Sequence, residues 1–349
     1  MLQDLLARYG DYVRGWLASP LDSDARLFLP WLALSLLAVV VLYAVRRPEG
    51  GFREFILPRH VWSHRDAWLD LRYFVFHSLL GKAAVSGVGV ASAYLGMSLT
   101  LSSLDGVPEL TLQSDMGPWA AGALIAVTYL LLTVVGDFMS FLIHYLQHRI
   151  PLLWQFHKVH HSGEVMHPIS NFREHPVDNL TYGLFIYLVK GAAIGVLVNA
   201  TGYMPGTVSL LGISAFVVAF NGAAYSLRHS HIWLRWPGRW SMVFGSPAHH
   251  QVHHSRHPDH LDKNFAFMFP VWDVIFGTYC MPEDGRDVEF GIVEDSSELD
   301  SCAALYTVPV RDAWRVLRGT HAPRINPALT HDYSAVKSAA APSSAEQPG

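Results

Sequence analysis

The chain alternates long apolar runs with shorter polar connections. Residues 27–45 form an almost unbroken apolar run, and at about 1.5 Å per residue a helix of this length crosses a hydrocarbon layer of roughly 30 Å. Weaker runs follow in four places, where Lys82 and Lys190 interrupt two of them: residues 73–97, 119–144, 180–200 and 208–227. The pattern predicts an all-α integral membrane bundle of four to five spans. The alternative, in which the weaker runs are core helices of a soluble protein, is disfavoured by the length of the first run.

The charges in the connecting loops predict the orientation of the spans. Arginines are concentrated between the first two spans, whereas residues 98–117 contain no Lys or Arg and hold Asp105, Glu109 and Asp115. By the positive-inside rule, the first loop is cytoplasmic and the second is external. The third span then ends on the cytoplasmic side, and a hairpin turning at residues 199–206 leaves the rest of the chain there.

The chain is expected to divide into three parts. Residues 1–26 form an N-terminal segment, residues 27–310 form a membrane catalytic domain, and residues 311–349 form a C-terminal extension. The extension begins with a short amphipathic stretch at residues 313–317. It ends in an Ala-, Ser- and Pro-rich tail that cannot bury a core and is predicted to be disordered.

Composition agrees with a membrane protein and excludes several other classes. The chain is 51% hydrophobic and 15% charged, with a net charge of −4, so no nucleic-acid partner is expected. The two cysteines, Cys280 and Cys302, are too few for a disulfide scaffold or a thiolate zinc cluster.

Histidine is the unusual component. Of 20 histidines, 15 fall between His144 and His260. Three boxes stand out: HxxxH at the end of the third span, then HxxHH, then HxxHH again within HHQVHH. Residues three or four apart share one helical face, so each box has chelating geometry. The boxes contain His144, His148, His157, His160, His161, His250, His253 and His254.

The number of histidines indicates two metal ions. His229, at the end of the last span, brings the total to nine, and one metal ion takes four to six ligands. The identity of the metal is left open by spacing alone. Nitrogen-rich coordination without an ExxH carboxylate pair suits either iron for dioxygen activation or zinc for hydrolysis.

Three segments carry a family resemblance over residues 137–279. They are DFMSFLIHYLQHRIPLLWQFHKVHHS, SPAHHQVHHSR and NFAFMFPVWDVIFGTY. Together they closely resemble the fatty acid hydroxylase and sterol desaturase superfamily of membrane di-iron oxygenases, and in motif style its alkylglycerol monooxygenase-like bacterial members. The resemblance implies that the eight box histidines hold two irons, which zinc can replace in a purified sample. His229 in RHSH matches a further family histidine.

Six residues near the boxes are expected either to bind metal or to orient the ligands: His175, His231, His249, Asp137, Asp273 and Asn264. For His175, a helix-packing role is an equal alternative. Asp137 lies on the face of His144 and is expected to accept an N–H from a ligand histidine, the alternative being a polar contact between spans. Asp273 is expected to do the same for the third box or to cap a helix. His167 is expected to be an outer-shell or surface residue, and His257 and His260 to be solvated. Lys158 and Arg256 are expected to meet lipid head groups or an electron donor.

The leading hypothesis is a membrane-bound di-iron oxygenase. It uses dioxygen and external electrons to hydroxylate or desaturate a fatty acyl, sterol or ether lipid, with its site on the cytoplasmic side. No haem, flavin or iron–sulfur signature is found, so the electrons must come from a cytochrome, ferredoxin or reductase. The alternatives are a histidine-rich membrane metal transporter and a zinc hydrolase. Transport sites usually lie near the bilayer midplane and use carboxylates, which disfavours the first.

Overall fold

The structure of the protein is a computed structural model. It is described over residues 2–22, 26–101, 103, 106–111, 114–205, 221, 225–284, 287–326 and 329. Most of the predicted fifth span, residues 208–227, lies outside these ranges, as does the predicted tail. The described part is mostly helical, in agreement with the predicted all-α class.

Fourteen helices are described within these ranges, together with two short strands, a π-helical turn at His77–Gly81 and several 3-10 turns. The helices are α1 Leu2–Ala18, α2 Leu29–Arg46, α3 Phe52–Ile56, α4 Arg59–Trp62, α5 Arg65–Phe76, α6 Lys82–Val85, α7 Val88–Thr100, α8 Pro118–Arg149, α9 Pro151–His161, α10 Pro176–Thr201, α11 Ser226–Arg228, α12 Pro247–His253, α13 Val271–Phe276 and α14 Ala304–Leu317. The strands are β1 Glu109–Leu110 and β2 Met204–Pro205.

Four helical segments are long and apolar enough to cross a membrane. They are α2, the combined segment Arg65–Thr100, α8 and α10. Each coincides with one of the first four predicted spans, although the second begins eight residues before residue 73. Many of their large apolar side chains are exposed, including Leu37, Leu99 and Val127, as expected of helices that face lipid.

Helices α7 and α10 pack in parallel with their backbones in close contact. A Cβ atom at Gly96 would collide with the carbonyl of Leu188, and one at Gly191 would collide with the carbonyl of Ala93. Small residues permit such an approach in membrane helices, where packing rather than the hydrophobic effect drives association. Beyond the two helices, β1 and β2 pair in parallel, so this end of the bundle is tied together by backbone hydrogen bonds.

At the opposite end, α9 and α14 pack on α5 around an apolar cluster. Its buried members are Leu69, Tyr73, Val159, Ile292, Leu299 and Leu305. Lys158 of α9 lies beside this cluster, with its Nζ 2.9 Å from Asp312 Oδ2 and 3.3 Å from Glu294 Oε2. The prediction that Lys158 meets head groups or an electron donor is therefore wrong, because its ammonium group is used inside the protein.

Candidate metal centre

The first two histidine boxes lie on consecutive helices that meet at a sharp turn. Helix α8 ends at Arg149, and Pro151 occupies the first turn of α9, where a missing N–H costs nothing. The turn brings the ring of His157 to 4.9 Å from that of His144 and 5.1 Å from that of His148, between centroids. The two boxes thus face each other across the helix pair.

Helix α12 delivers the third box to the same place. Ser246 caps this helix: its side chain accepts a hydrogen bond from the backbone N–H of His249, and the His249 side chain accepts one from the backbone N–H of Ser246. This reciprocal pair of bonds fixes where the helix begins. Because His250 and His253 lie three residues apart, both rings point inward. The ring of His253 lies 4.3 Å from that of His144.

The nine predicted ligand histidines form two groups. Within each group, one nitrogen from every ring lies within 4.8 Å of the others. The first group draws on all three boxes, and the second combines the later two boxes with His229. The groups comprise His144, His148, His157, His161 and His253, and then His160, His229, His250 and His254.

Inside each group, ring nitrogens point at one another. His161 Nε2 lies 3.2 Å from Nε2 of both His148 and His253. In the second group, His250 Nε2 lies 2.8 Å from His229 Nε2 and 3.0 Å from His254 Nε2. The groups adjoin, since the rings of His161 and His254 stack 4.2 Å apart.

These residues fit a pair of transition-metal ions. Both ring nitrogens of His157 are buried without a hydrogen-bond partner among the described residues, which is costly unless something else binds them. Converging imidazole nitrogens are suitable ligands for iron or zinc.

Hydrogen bonds on the far side of the rings orient the nitrogens that face inward. Backbone carbonyls accept only, so a ring nitrogen bonded to one carries the proton and the other is free to ligate. In four of the rings, Nδ1 is hydrogen-bonded to an oxygen atom outside the two groups. The pairs are His144 with Phe265 O at 2.9 Å, His253 with Lys263 O at 2.8 Å, His160 with Arg173 O at 3.2 Å and His229 with Ser170 Oγ at 3.0 Å.

His250 has a different environment. Its Nδ1 lies 2.8 Å from Nη2 of Arg228, and a guanidinium group only donates. His250 Nδ1 must therefore accept, so the ring proton of neutral His250 is on Nε2. A metal at that nitrogen would have to displace this proton. Burial lowers the pKa of Arg228 to about 10.

Burial favours the uncharged form of several of these histidines. It is the main reason why the pKa of His160 falls to about 3, with the neighbouring His157 adding to the effect. The pKa values of His161, His229 and His254 are lowered well below the ordinary value, again mainly by burial. Neutral imidazole is the form that binds metal, so the site is ready to bind metal at neutral pH.

Two predicted outer-shell carboxylates act on a loop rather than on a ligand. Asp137 accepts N–H groups from Met268, Phe269 and the Trp272 indole at 2.8–3.1 Å. Among the described residues no histidine bonds Asp137, so the expected N–H bond from a ligand is wrong, and its polar contacts are to residues 268–272 rather than to another span. Asp273 accepts from the Phe265 and Ala266 backbone and so holds the carbonyl that bonds His144.

The remaining predicted histidines lie outside both groups. His175 caps α10 and bonds the Tyr306 carbonyl, His231 bonds the Phe55 carbonyl, and His249 bonds Ser246. The Asn264 amide donates a hydrogen bond to the Cys280 carbonyl and accepts one from the Cys280 backbone N–H.

Two further histidines are more enclosed than predicted. His167 is fully buried, with Nε2 3.0 Å from Asp70 Oδ2, which excludes its surface alternative. His260 is 2% exposed and bonds Ser255 Oγ, so the prediction that it is solvated is wrong. Arg256 Nε lies 3.7 Å from Glu289 Oε2, within ion-pair distance.

Asp178 is a site residue that the sequence analysis missed. Its Oδ1 accepts from Gln147 Nε2 at 2.9 Å, and its Oδ2 lies 3.6 Å from His157 Nδ1. It follows His175 in HPVD and is far from every box in sequence, so spacing gave no signal. The fold brings it to the ring of His157, whose two nitrogens have no hydrogen-bond partner in the described part of the chain.

A cavity of about 370 Å³ adjoins both groups. His144, His157 and His160 form part of its wall, and Arg26 and Glu174 form another part. Arg26 Nη1 lies 2.7 Å from Glu174 Oε1. Although burial alone would raise the pKa of Glu174, its cationic neighbours Arg26 and Lys82 hold it well below the ordinary value. Glu174 is therefore ionised in the wall of the cavity.

Comparison with known proteins finds that the chain is similar to lipid-modifying enzymes. Residues 129–278 match the fatty acid hydroxylase family model. An ornithine lipid hydroxylase, OlsE of Rhizobium tropici, is 27% identical over 270 residues, which cover 76% of this chain and 71% of that protein.

Other relatives match over shorter stretches. The alkylglycerol monooxygenase of Caenorhabditis elegans is 27% identical over 170 residues, 49% of this chain and 30% of that enzyme. A cholesterol 25-hydroxylase-like protein of Danio rerio is 29% identical over 146 residues, 41% of this chain and 51% of that protein. The chain therefore aligns with about a third of the monooxygenase. No solved structure matches significantly.

Proposed function

We propose that this chain, whose residues 129–278 belong to the fatty acid hydroxylase family, is a membrane-bound lipid hydroxylase that carries two iron ions. The observation that carries the proposal is the division of nine histidines, seven of them buried and two partly buried, into two adjoining groups. One structural zinc would leave one group unexplained. Bound iron would supply the activation of dioxygen and the oxidation of a C–H bond.

The chain's own residues hold the ligands and shape the site. Carbonyls of Phe265, Lys263 and Arg173 fix which nitrogen of each partner ring faces inward. Loop residues 264–269 are themselves held by Asp273 and Asp137. The ionised Glu174 balances Arg26 beside the cavity. Precise orientation of this kind is what an enclosed metal site needs from the protein.

The substrate we propose is a membrane lipid, a fatty acyl, sterol or ether lipid. The cavity runs beside apolar helices α8 and α10, and the relatives are named for lipids. Hydroxylation is favoured over desaturation because those relatives are hydroxylases and monooxygenases. Electrons would come from a separate cytochrome, ferredoxin or reductase.

We further propose that the catalytic domain begins near residue 27 and that the metal groups face the cytoplasm, which the arginine-rich first loop supports. Its end is better placed after α14 than at residue 310, because Asp312 of that helix binds Lys158 of α9.

The test is oxygen dependence in reconstituted membranes with a chemical reductant. We expect lipid conversion to stop under strict anaerobiosis and oxygen-18 from labelled dioxygen to enter the product. For an ether lipid, the aldehyde must be trapped at once, since hydration removes the label. Conversion that continues without oxygen would favour the zinc hydrolase instead. Lipid conversion by protein in which metal analysis finds no iron would support that outcome.

A further inference from the structure

Lys190 lies in the membrane-spanning helix α10 and lines the same cavity as the metal-site histidines. Ser140 and Ile186 line this part of the cavity with it. A charged side chain within a span is expensive and by default functional. Lys190 therefore needs an explanation that the metal site does not give.

The opposite helix makes room for this side chain. A Cβ atom at Gly136 of α8 would lie 2.6 Å from Lys190 Cε and 3.0 Å from its Nζ. Real Cβ atoms do not approach so closely, so the aliphatic stem rests on the bare backbone of Gly136. The ammonium group is placed in the cavity wall by this packing.

The other cations of the cavity have anionic or ring partners, whereas Lys190 has none among the described residues. Arg26 pairs with Glu174 at 2.7 Å, and Arg228 donates to His250. Within the described ranges, no hydrogen bond or ion pair involves Lys190. Its charge is thus available to a ligand that enters the cavity.

We propose that Lys190 binds an anionic oxygen, of a carboxylate or a phosphate, on the lipid substrate. The inference rests on the proposed function and adds the chemical class of the substrate. Gly136 and His144 are eight residues apart on α8, about 12 Å along the helix. The anionic group would therefore lie several bonds away from the carbon that is oxidised.

The experiment measures binding rather than turnover. Full-length protein in detergent micelles binds a fluorescent polyene fatty acid, and hexadecanoic acid, hexadecyl phosphate and hexadecanol compete for it. We expect at least one anionic competitor to bind about thirtyfold more tightly than the alcohol. K190M should abolish that preference and K190R should keep most of it. V196M, on an exposed position of the same helix, is the matched control.

G136A provides an independent variant that keeps the charge. It should displace the ammonium group and weaken anionic binding without affecting hexadecanol. Removing a lysine from a span favours membrane insertion, so K190M is expected to fold.

The preferred competitor identifies the source of the anion. Stronger binding of hexadecanoic acid would assign a carboxylate, and stronger binding of hexadecyl phosphate a phospholipid. Equal binding of all three compounds, or an anionic preference that survives K190M, would overturn the inference. Neither result depends on oxygenase activity, so failure of the proposed function would be seen separately, as turnover that ignores oxygen.

Discussion

Each histidine in the metal site has two nitrogens, and the partner of one fixes the role of the other. His144 donates its Nδ1–H to the Phe265 carbonyl, which leaves Nε2 free to bind a metal. His250 Nδ1 accepts a hydrogen bond from the Arg228 guanidinium group, so its ring proton is on Nε2. Rings that are equivalent in the sequence motif are therefore chemically unequal in the fold.

Removal of one ring from either group should disable the site. We expect His160→Ala and His253→Ala each to lose bound metal and to abolish lipid oxidation, because each group would hold its proposed metal through converging imidazoles. Elemental analysis and product formation measure the two effects. His257→Ala is the control and should retain both, since His257 lies outside both groups. Full activity of the His160 variant would refute the ligand assignment.

Asp178 is expected to orient His157. Loss of an outer-shell carboxylate typically costs about 10- to 100-fold in metal affinity or activity. Asp178→Ala should show a loss of this size, while Asp178→Asn should lose less because its amide still bonds Gln147. Metal affinity by chelator competition reports the change. An Asp259→Ala variant, altered at a side chain 82% exposed, should bind metal normally. Equal metal affinities of the Asp178 variants and the native protein would show that Asp178 does not orient His157.

At the scale of elements, α9 is held in position by buried charge as well as by apolar packing. Lys158 stands between ligands His157 and His160 in sequence, and its ammonium group is tied to Asp312 of α14. Any shift of α14 would therefore be transmitted to the second box. The contact connects a helix with no ligands to the metal site.

Asp312→Asn should destabilise the protein by about 3 kcal/mol, the lower end for breaking a buried ion pair, because Glu294 still faces Lys158. Burial raises the pKa of Asp312, but hydrogen bonds from Arg311 and Lys158 outweigh it and lower the pKa overall. The stabilisation is therefore complete at neutral pH and is lost as the pH falls below about 3.9, through the lowered value.

Thermal unfolding in detergent measures this effect. In acid, the native protein should no longer be more stable than Asp312→Asn. Asp259→Asn should be as stable as the native protein at every pH. An Asp312→Asn protein as stable as the native one at pH 7 would show that the ion pair contributes nothing.

Sequence alone predicts the parts of this fold that follow from local pattern. The apolar runs mark the four spans, and the i, i+3 and i, i+4 spacing groups the ligands within each box. It cannot predict how the boxes interleave, because whether His161 joins His253 or His254 depends on the crossing of α9 and α12. Asp178 and Arg228 were missed for the same reason, since they meet their histidines only through the tertiary fold.

At the scale of the whole molecule, α8 runs from the end of the bundle that carries β1 and β2 to the end that carries the two histidine groups. It has 32 residues and is therefore about 48 Å long, enough to cross a bilayer completely. The loop bearing β1 precedes it, and His144 and His148 lie near its end. If α8 crosses the membrane, the β1–β2 end and the metal groups must lie on opposite sides.

The native cysteines provide a test of which side is which. Cys280 and Cys302 are both partly exposed and lie on the side of the histidine boxes, whereas Ser103 lies in the acidic loop before α8. Because the arginines favour a cytoplasmic first loop, a membrane-impermeant maleimide added to intact cells should label Ser103→Cys. It should spare the native cysteines until the membrane is permeabilised. Replacing both native cysteines by serine should remove the second signal and leave the first. Labelling of Cys280 or Cys302 from outside, with Ser103→Cys protected, would place the metal groups on the external side and reverse the proposed orientation.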